Sequence, residues 1–306
     1  MTDRNPPPKG DAPVGIVIGL FKGGCEVVHA DRVVSLRLVG RHAQHGVALA
    51  VGDDVTFDPG QGIVLELMPR RTILARRRPR DDPRQAQVLA ANMDRLAIIS
   101  SVGEPPFRAR LVDRLLLAAF AGGVEPLLVV NKIDLLQGEL LPEEIRAFEA
   151  AVPVCAVSAL TGAGLEALRG RLTGSRTVLA GHSGVGKTSL VNAFKPELRL
   201  ETGELRRGGR RGRHTTVRAV MVRLPGEAIV VDTPGVREVG TGPVDPALLD
   251  RVYPDVAREA SRCRFRDCIH DREPGCGVRA AIESGALSDT RRASFVTLLA
   301  EIRGES

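Results

Sequence analysis

Apolar positions early in the chain fall into short strand-like runs at 15–20, 25–29, 32–39, 54–58 and 62–68, with Gly or Asp between most of them. Five such runs predict a small β-barrel over 13–75, and the OB fold is the common barrel of that size. From residue 88 the pattern changes. Apolar runs at 96–100, 126–130, 152–157, 177–180, 217–224 and 228–231 read as buried strands. Helical patterns at 107–121, 142–151, 164–171 and 187–194 lie between them. Buried strands alternating with helices predict an α/β domain on a largely parallel sheet over 88–243. After Pro243 the strand pattern stops, and 245–261, 277–284 and 288–303 read as helices of a small module over 244–306. A Pro-rich polar tail over 1–12, expected to be disordered, and a basic linker over 76–87 complete the organisation. There is no internal repeat.

Composition narrows the class. A length of 306 residues allows two or three domains, and 43% hydrophobic against 26% charged residues leaves ample core material. No run approaches the ~18–20 apolar residues of a membrane span. The N-terminal Met-Thr-Asp-Arg-Asn lacks the apolar region of a secretory signal. A cytoplasmic protein with no membrane partner is therefore expected. Aromatics are only 3%, so base stacking is not expected as the main mode of nucleic-acid binding. Net charge is +6, and five Lys leave 38 of the 43 cations as Arg. Arg favours bidentate phosphate contact, although a GC-rich genome also raises Arg, so an anionic partner stays open. Of five Cys, Cys25 and Cys155 stand alone and three crowd between 263 and 276, which suggests a metal site in a reducing compartment.

Gly181-His182-Ser183-Gly184-Val185-Gly186-Lys187-Thr188-Ser189 matches the P-loop pattern G-x-x-x-x-G-K-[ST], between an expected strand and an expected helix. Its glycines let backbone N–H groups turn onto phosphates, and the helix N-terminus adds its dipole. Lys187 would reach the β/γ oxygens and Thr188 would hold Mg²⁺. Asn131-Lys132-Ile133-Asp134, at the end of another strand, chooses the base. The Asp134 carboxylate can accept from guanine N1–H and the 2-amino group, a donor pair that adenine lacks. Ser158-Ala159 would add a backbone contact to guanine. Asp232-Thr233-Pro234-Gly235 follows a further strand; Asp232 would bind Mg²⁺ through water, and the Gly235 N–H would sense the γ-phosphate.

These four elements spell a GTPase, but their order is unusual. The guanine-reading segments precede the P-loop, and Asp232–Gly235 comes last. Each still sits at the end of its own strand, which is what a circular permutation does. Beyond them, Cys263-x₄-Cys268-x-His270-x₅-Cys276 offers three thiolates and an imidazole, a set that suits one tetrahedral Zn²⁺. The segment around it is polar and Arg-rich, with little apolar material to bury unliganded thiols.

The combination resembles the ribosome small subunit-dependent GTPase A (RsgA) family of circularly permuted GTPases. The residues that carry the resemblance are Ala90-Ala91-Asn92-Met93-Asp94, Asn131 to Asp134, Gly181 to Ser189, Gly212-Arg213-His214-Thr215-Thr216, Asp232 to Gly235 and Cys263 to Val278. The resemblance implies GTP hydrolysis to GDP, stimulated by the 30S subunit and its 16S rRNA, late in that subunit's assembly. A monomer is expected. The chain departs from the family pattern at 42–45 and near 291–295, where aromatics reduce to Phe295. Two rivals belong to other classes: an RNA-binding assembly factor that holds GTP as a structural ligand, and a zinc-dependent nucleic-acid regulator, which leaves Asn131 to Asp134 unexplained.

The residue after Asp-x-x-Gly, where Ras-like enzymes place a water-orienting Gln, is Val236. The best candidate for that role is His214. It precedes Thr215-Thr216, one of which is expected to close on Mg²⁺ and the γ-phosphate. The stretch before it, Arg206-Arg207-Gly208-Gly209-Arg210-Arg211-Gly212-Arg213, is expected to order on rRNA.

Overall fold

The computed structural model describes residues 12–39, 49–76, 87–198 and 244–304, and all of 217–232 except 219, 225 and 227. The expected tail through residue 11, the stretch at 42–45, linker residues 77–86, and loops 199–216 and 233–243 lie outside the described residues.

Strands β1 (Val14–Phe21), β2 (Gly24–His29), β3 (Arg32–Arg37), β4 (Asp54–Asp58) and β5 (Ile63–Leu67) form the barrel. β1 to β3 are an antiparallel meander, β5 pairs with β3 and β4, and β4 returns to β1, which closes the sheet. Ala30 and Asp31 turn between β2 and β3 with φ of 45° and 61°, as two-residue hairpins whose twist matches the strands require. Alternate residues face inward, so Val17, Cys25, Val27, Leu36, Val55 and Phe57 are buried together.

β6 (Ile73–Arg76) and β7 (Gln87–Ala91) pair antiparallel on either side of the basic linker. They are only four and five residues long, too short to stand out in a reading based on longer apolar runs. Leu74 and Ala90 are nonetheless fully buried.

The α/β part contains β8 (Arg95–Ser101), α1 (Ala109–Ala121), β9 (Glu125–Asn131), α2 (Glu143–Arg146), β10 (Val154–Ala156), α3 (Leu165–Leu172), β11 (Arg176–Ala180) and α4 (Lys187–Phe194). β12 (Val217–Arg218), β13 (Val220–Arg223) and β14 (Ile229–Asp232) follow. The sheet runs β10-β9-β8-β11-β14-β13, parallel except for the antiparallel edge strand β13. Both faces are covered, with Leu96 and Ile98 in one layer and Ala97 and Ile99 in the other. That is why these strands read as unbroken apolar runs.

The run at 217–224, expected as one strand, serves two sheets. β12 pairs antiparallel with β1, Leu20 opposite Val217 and Gly19 opposite Arg218, whereas β13 joins β14. Arg176 binds Asp54 at 3.0 and 3.1 Å, and the Asn92 amide donates to Gly52 O at 3.2 Å. The barrel and the α/β sheet are therefore joined by hydrogen-bonded contacts.

The helix expected at 245–261 is broken. A 3₁₀ turn, Pro246–Leu248, leads into α5 (Leu249–Val252), and α6 (Pro254–Ala260) starts afresh. Pro254 lacks an N–H and forces its predecessor out of the helical region; Tyr253 sits at φ −128°, ψ 61°. The helix expected at 142–151 likewise yields a short α2 followed by a 3₁₀ turn, Ala147–Ala150. α7 (Gly277–Glu283) and α8 (Asp289–Arg303) complete the chain. Val252, Tyr253, Phe295 and Leu298 share one core with Val112, Leu115 and Leu116 of α1. Arg291 on α8 is buried in this interface. It grips Asp255 with two hydrogen bonds of 3.0 Å, reaches Asp113 of α1 at 3.4 Å, and donates to Val252 O at 3.2 Å.

Candidate nucleotide and metal sites

The P-loop candidate spans the end of β11 and the start of α4. Gly181 and Gly186 have φ of 147° and 93°, and both lie against neighbouring strands. A Cβ on Gly181 would stand 2.1 Å from Ile99 O, and one on Gly186 would stand 2.2 Å from Asn131 Nδ2. Only glycine tolerates both the dihedral and the approach. Lys187 is 6% exposed, and its ammonium donates to the carbonyls of Gly181 and His182, each at 2.9 Å. Those bonds hold it over the loop whose N–H groups would meet phosphate. The His182 ring lies 2.9 Å from Ser183 O through Nδ1. Val185 is buried beneath the loop, and Thr188 and Ser189 occupy the first turn of α4.

The guanine-reading candidates meet this loop directly. Asn131 ends β9 and is 2% exposed. Its Nδ2 donates to Val185 O at 2.9 Å, and its Oδ1 accepts from Ala159 N at 3.0 Å. One side chain thus fastens the P-loop to the segment after β10. Lys132 adopts the left-handed conformation, φ 67°, and its ammonium donates to Glu104 O. Ile133 opens a 3₁₀ turn that carries Asp134. The hydroxyl of the fully buried Ser158 donates to Asp134 Oδ1 at 2.5 Å, which aims the carboxylate.

The sheet explains the convergence. β9, β8, β11 and β14 are parallel neighbours, with Asn131 opposite Ser101 and Asp232 opposite Leu179. Every candidate segment therefore leaves the same edge. Asp232 ends β14; its side chain, Gly235, His214, Thr215 and Thr216 lie outside the described residues.

The loop after β8 also belongs to this edge and escaped the sequence reading. Besides meeting Lys132 through Glu104 O, it places Pro105 Cδ 3.4 Å from where a Cβ on Gly184 would stand. The Ser101 hydroxyl donates to Pro105 O at 2.9 Å. Its only local signal is Gly-Glu-Pro-Pro after a strand.

Cys263, Cys268, His270 and Cys276 form a second centre, their ligand atoms all within 4.8 Å of one another. Cys263 and Cys276 sulfurs are 3.8 Å apart, and His270 Nδ1 is 3.5 and 3.6 Å from them. A tetrahedron with zinc bond lengths has S···S edges of about 3.8 Å and S···N edges of about 3.6 Å. The donor set therefore fits such an ion in both spacing and chemistry. Burial, and then the neighbouring Cys276 and Cys263 thiols, push Cys268 up to about 12, so a cation is what would favour the Cys268 thiolate. Burial lowers the His270 pKa, which keeps the imidazole neutral and able to ligate. Glu273 organises the turn by accepting from the N–H groups of Ile269, Asp271 and Arg272. Phe295 covers the His270 ring at 5.3 Å and ties the cluster to the core.

Residues 67–242 match the family model described as RsgA GTPase. A Methanosarcina acetivorans protein named small ribosomal subunit biogenesis GTPase RsgA is 36% identical over 97% of this chain and 82% of its own length. A Gemmatimonas aurantiaca protein of the same name is 38% identical over 87% of this chain and 89% of its own. Among solved structures, YjeQ from Thermotoga maritima matches with a TM-score of 0.70 at 27% identity, covering 95% of this chain and 99% of that one. YloQ, a circularly permuted GTPase, matches with a TM-score of 0.66 at 25% identity, covering 98% of each chain.

Proposed function

The chain belongs to the RsgA GTPase family, and we propose how its residues perform that family's work. It is a GTP hydrolase of small ribosomal subunit biogenesis. The observation that carries the residue assignment is Asn131, which bonds at once to Val185 of the P-loop and to Ala159. That arrangement makes base recognition and phosphate binding one rigid unit.

Asp134, braced by Ser158, accepts from guanine N1–H and the 2-amino group, and Ala159 meets the base through its backbone. The N–H groups of Gly181 to Ser189 surround the phosphates, and Lys187 moves from its carbonyl partners to the β/γ oxygens. Thr188 and, through water, Asp232 hold Mg²⁺, with Thr215 or Thr216 and the Gly235 N–H closing on the γ-phosphate. When bound, Mg²⁺ neutralises charge developing on the phosphate oxygens. His214 orients the attacking water, because Val236 has no group to do so. His214→Ala should keep nucleotide affinity and lose most of the stimulated rate. Cys263, Cys268, His270 and Cys276 hold one Zn²⁺. The protein acts in the cytoplasm as a monomer and docks on the 30S subunit, its barrel and C-terminal module contacting 16S rRNA.

The test is GTP turnover alone and with purified 30S, 50S and 70S particles. Turnover alone should be no faster than the order of 10⁻³ s⁻¹, as in unassisted GTPases, and should rise selectively with 30S. Equal rates with and without 30S would leave GTP a structural ligand and overturn the reading.

A further inference from the structure

The metal-binding turn carries a surface that neither hydrolysis nor ligation uses. Between the ligands Cys263 and Cys268 stand Arg264, Phe265, Arg266 and Asp267, all exposed. Phe265 is 41% exposed and is the only exposed aromatic among the described residues. The loop that presents it is held in place, with Arg264 N donating to Gly275 O at 3.0 Å and Gly277 N donating to Cys263 Sγ at 3.3 Å. The Arg264 guanidinium lies 5.5 Å from the Phe265 ring centre. Neither Arg264 nor Arg266 has an acidic partner among the described residues, whereas neighbouring Arg262 is paired with Glu259.

We propose that this tip is an RNA-reading contact in which Phe265 stacks on one unpaired nucleobase while Arg264 and Arg266 bind the flanking phosphates. The proposal rests on the ribosomal reading above and deepens it by assigning one contact and its chemistry. A single exposed ring among charged residues is too little apolar surface for the core of a protein interface, which excludes charge. It matches one base, whose face needs no more than a ring, and guanidinium groups match the phosphates on either side. Bases inside an A-form duplex present no free face, so the partner is a loop, bulge or strand end. Because the turn is already ordered, little conformational entropy is lost on docking.

The experiment uses the full zinc-loaded chain with a non-hydrolysable GTP analogue and measures affinity for purified 30S subunits across a salt series. Phe265→Ala and Phe265→Leu should each weaken binding by about tenfold, the scale of one lost base stack, and Phe265→Tyr should bind like wild type. Arg264→Gln combined with Arg266→Gln should flatten the salt dependence. Zinc content and unstimulated GTP turnover should match wild type in all variants. Wild-type affinity in Phe265→Ala overturns the proposal. Loss in Phe265→Ala with full rescue in Phe265→Leu overturns it in favour of an apolar protein contact. If the unaltered chain neither binds 30S nor is stimulated by it, the ribosomal reading itself has failed, which separates the two.

Discussion

Gly186→Ala probes the joint between base and phosphate recognition. Gly186 has φ 93°, and the new methyl would stand 2.2 Å from Asn131 Nδ2. Holding Ala in left-handed backbone costs about 1–2 kcal/mol. The larger cost comes from Asn131, which must move. It then loses its bonds to Val185 O and from Ala159 N, and a buried group left unsatisfied costs about 1–3 kcal/mol. The sum is about 2–5 kcal/mol. Gly184→Ala is the control. Its φ of 84° imposes similar strain, but its methyl would meet only Pro105 Cδ, at 3.4 Å. Urea unfolding without nucleotide isolates stability from phosphate contact. Gly186→Ala should unfold at clearly lower urea than Gly184→Ala, a difference of about 1–3 kcal/mol from the Asn131 bonds. GDP affinity, measured separately, should fall in the same order. Equal unfolding midpoints for the two variants would refute the claim that Asn131 fastens the P-loop.

Other expectations follow from single groups. Asp134→Asn should weaken GTP binding at least about 100-fold and improve xanthosine triphosphate, since two charge-assisted hydrogen bonds are lost and the 2-oxo group needs a donor; nucleotide competition reads this directly, and wild-type GTP affinity would contradict it. Elemental analysis should find one zinc per chain and less in Cys276→Ser, and chelation should raise amide exchange first in α7 and in the turn before it; metal-free protein with unchanged exchange would count against a structural ion. Burial, opposed by Arg291, pushes Asp113 up from 3.8 to about 6. An acid raised on folding stabilises fully below its unfolded pKa, and that contribution is lost as pH rises through the folded one. Asp113 should therefore cost about 3 kcal/mol between pH 4 and pH 6 or slightly above. Asp113→Asn should remove that decline from a urea-midpoint series, and an unchanged slope would exclude Asp113 as its source.

The legible parts of the molecule are those whose signal is local. The P-loop pattern, Asn131 to Asp134 and the cluster of three Cys and one His are short spacings, and β8, β9 and β11 are apolar on both faces. What escaped depends on partners distant in sequence. β6 and β7 are only four and five residues long and become strands only by pairing with each other. Arg291 is 6% exposed, yet an Arg in a helix reads as a solvent position until Asp255 and Asp113 are brought to it. The break before α6 was legible in principle from Pro254, but the surrounding helical pattern outweighed one residue. The bond from Asn131 to Val185 spans 54 positions and has no local trace.

The permuted order has a mechanical consequence that the strand pairings make concrete. In this chain the P-loop lies mid-sequence, so the segments that follow it connect in sequence to the flanking parts. Residues 199–216, which contain Thr215 and Thr216, are followed at once by β12, and β12 is hydrogen-bonded to β1 of the barrel. Residues 233–243, which contain Gly235, lead to the 3₁₀ turn at Pro246–Leu248 and to α5, buried against α1. Arg223 of β13 also reaches Asp31 of the β2–β3 hairpin at 2.7 Å, but both side chains are largely exposed, so that pair adds little. The β12 pairing is backbone to backbone and does not depend on side-chain charge. A load on the barrel is thus delivered one residue from Thr216. A load on the helices beside the Cys263–Cys276 cluster is delivered to the segment that carries Gly235. Both flanking parts are coupled by chain connectivity to the residues assigned to the γ-phosphate, whereas the segments assigned to guanine, fastened by Asn131, stay with the sheet.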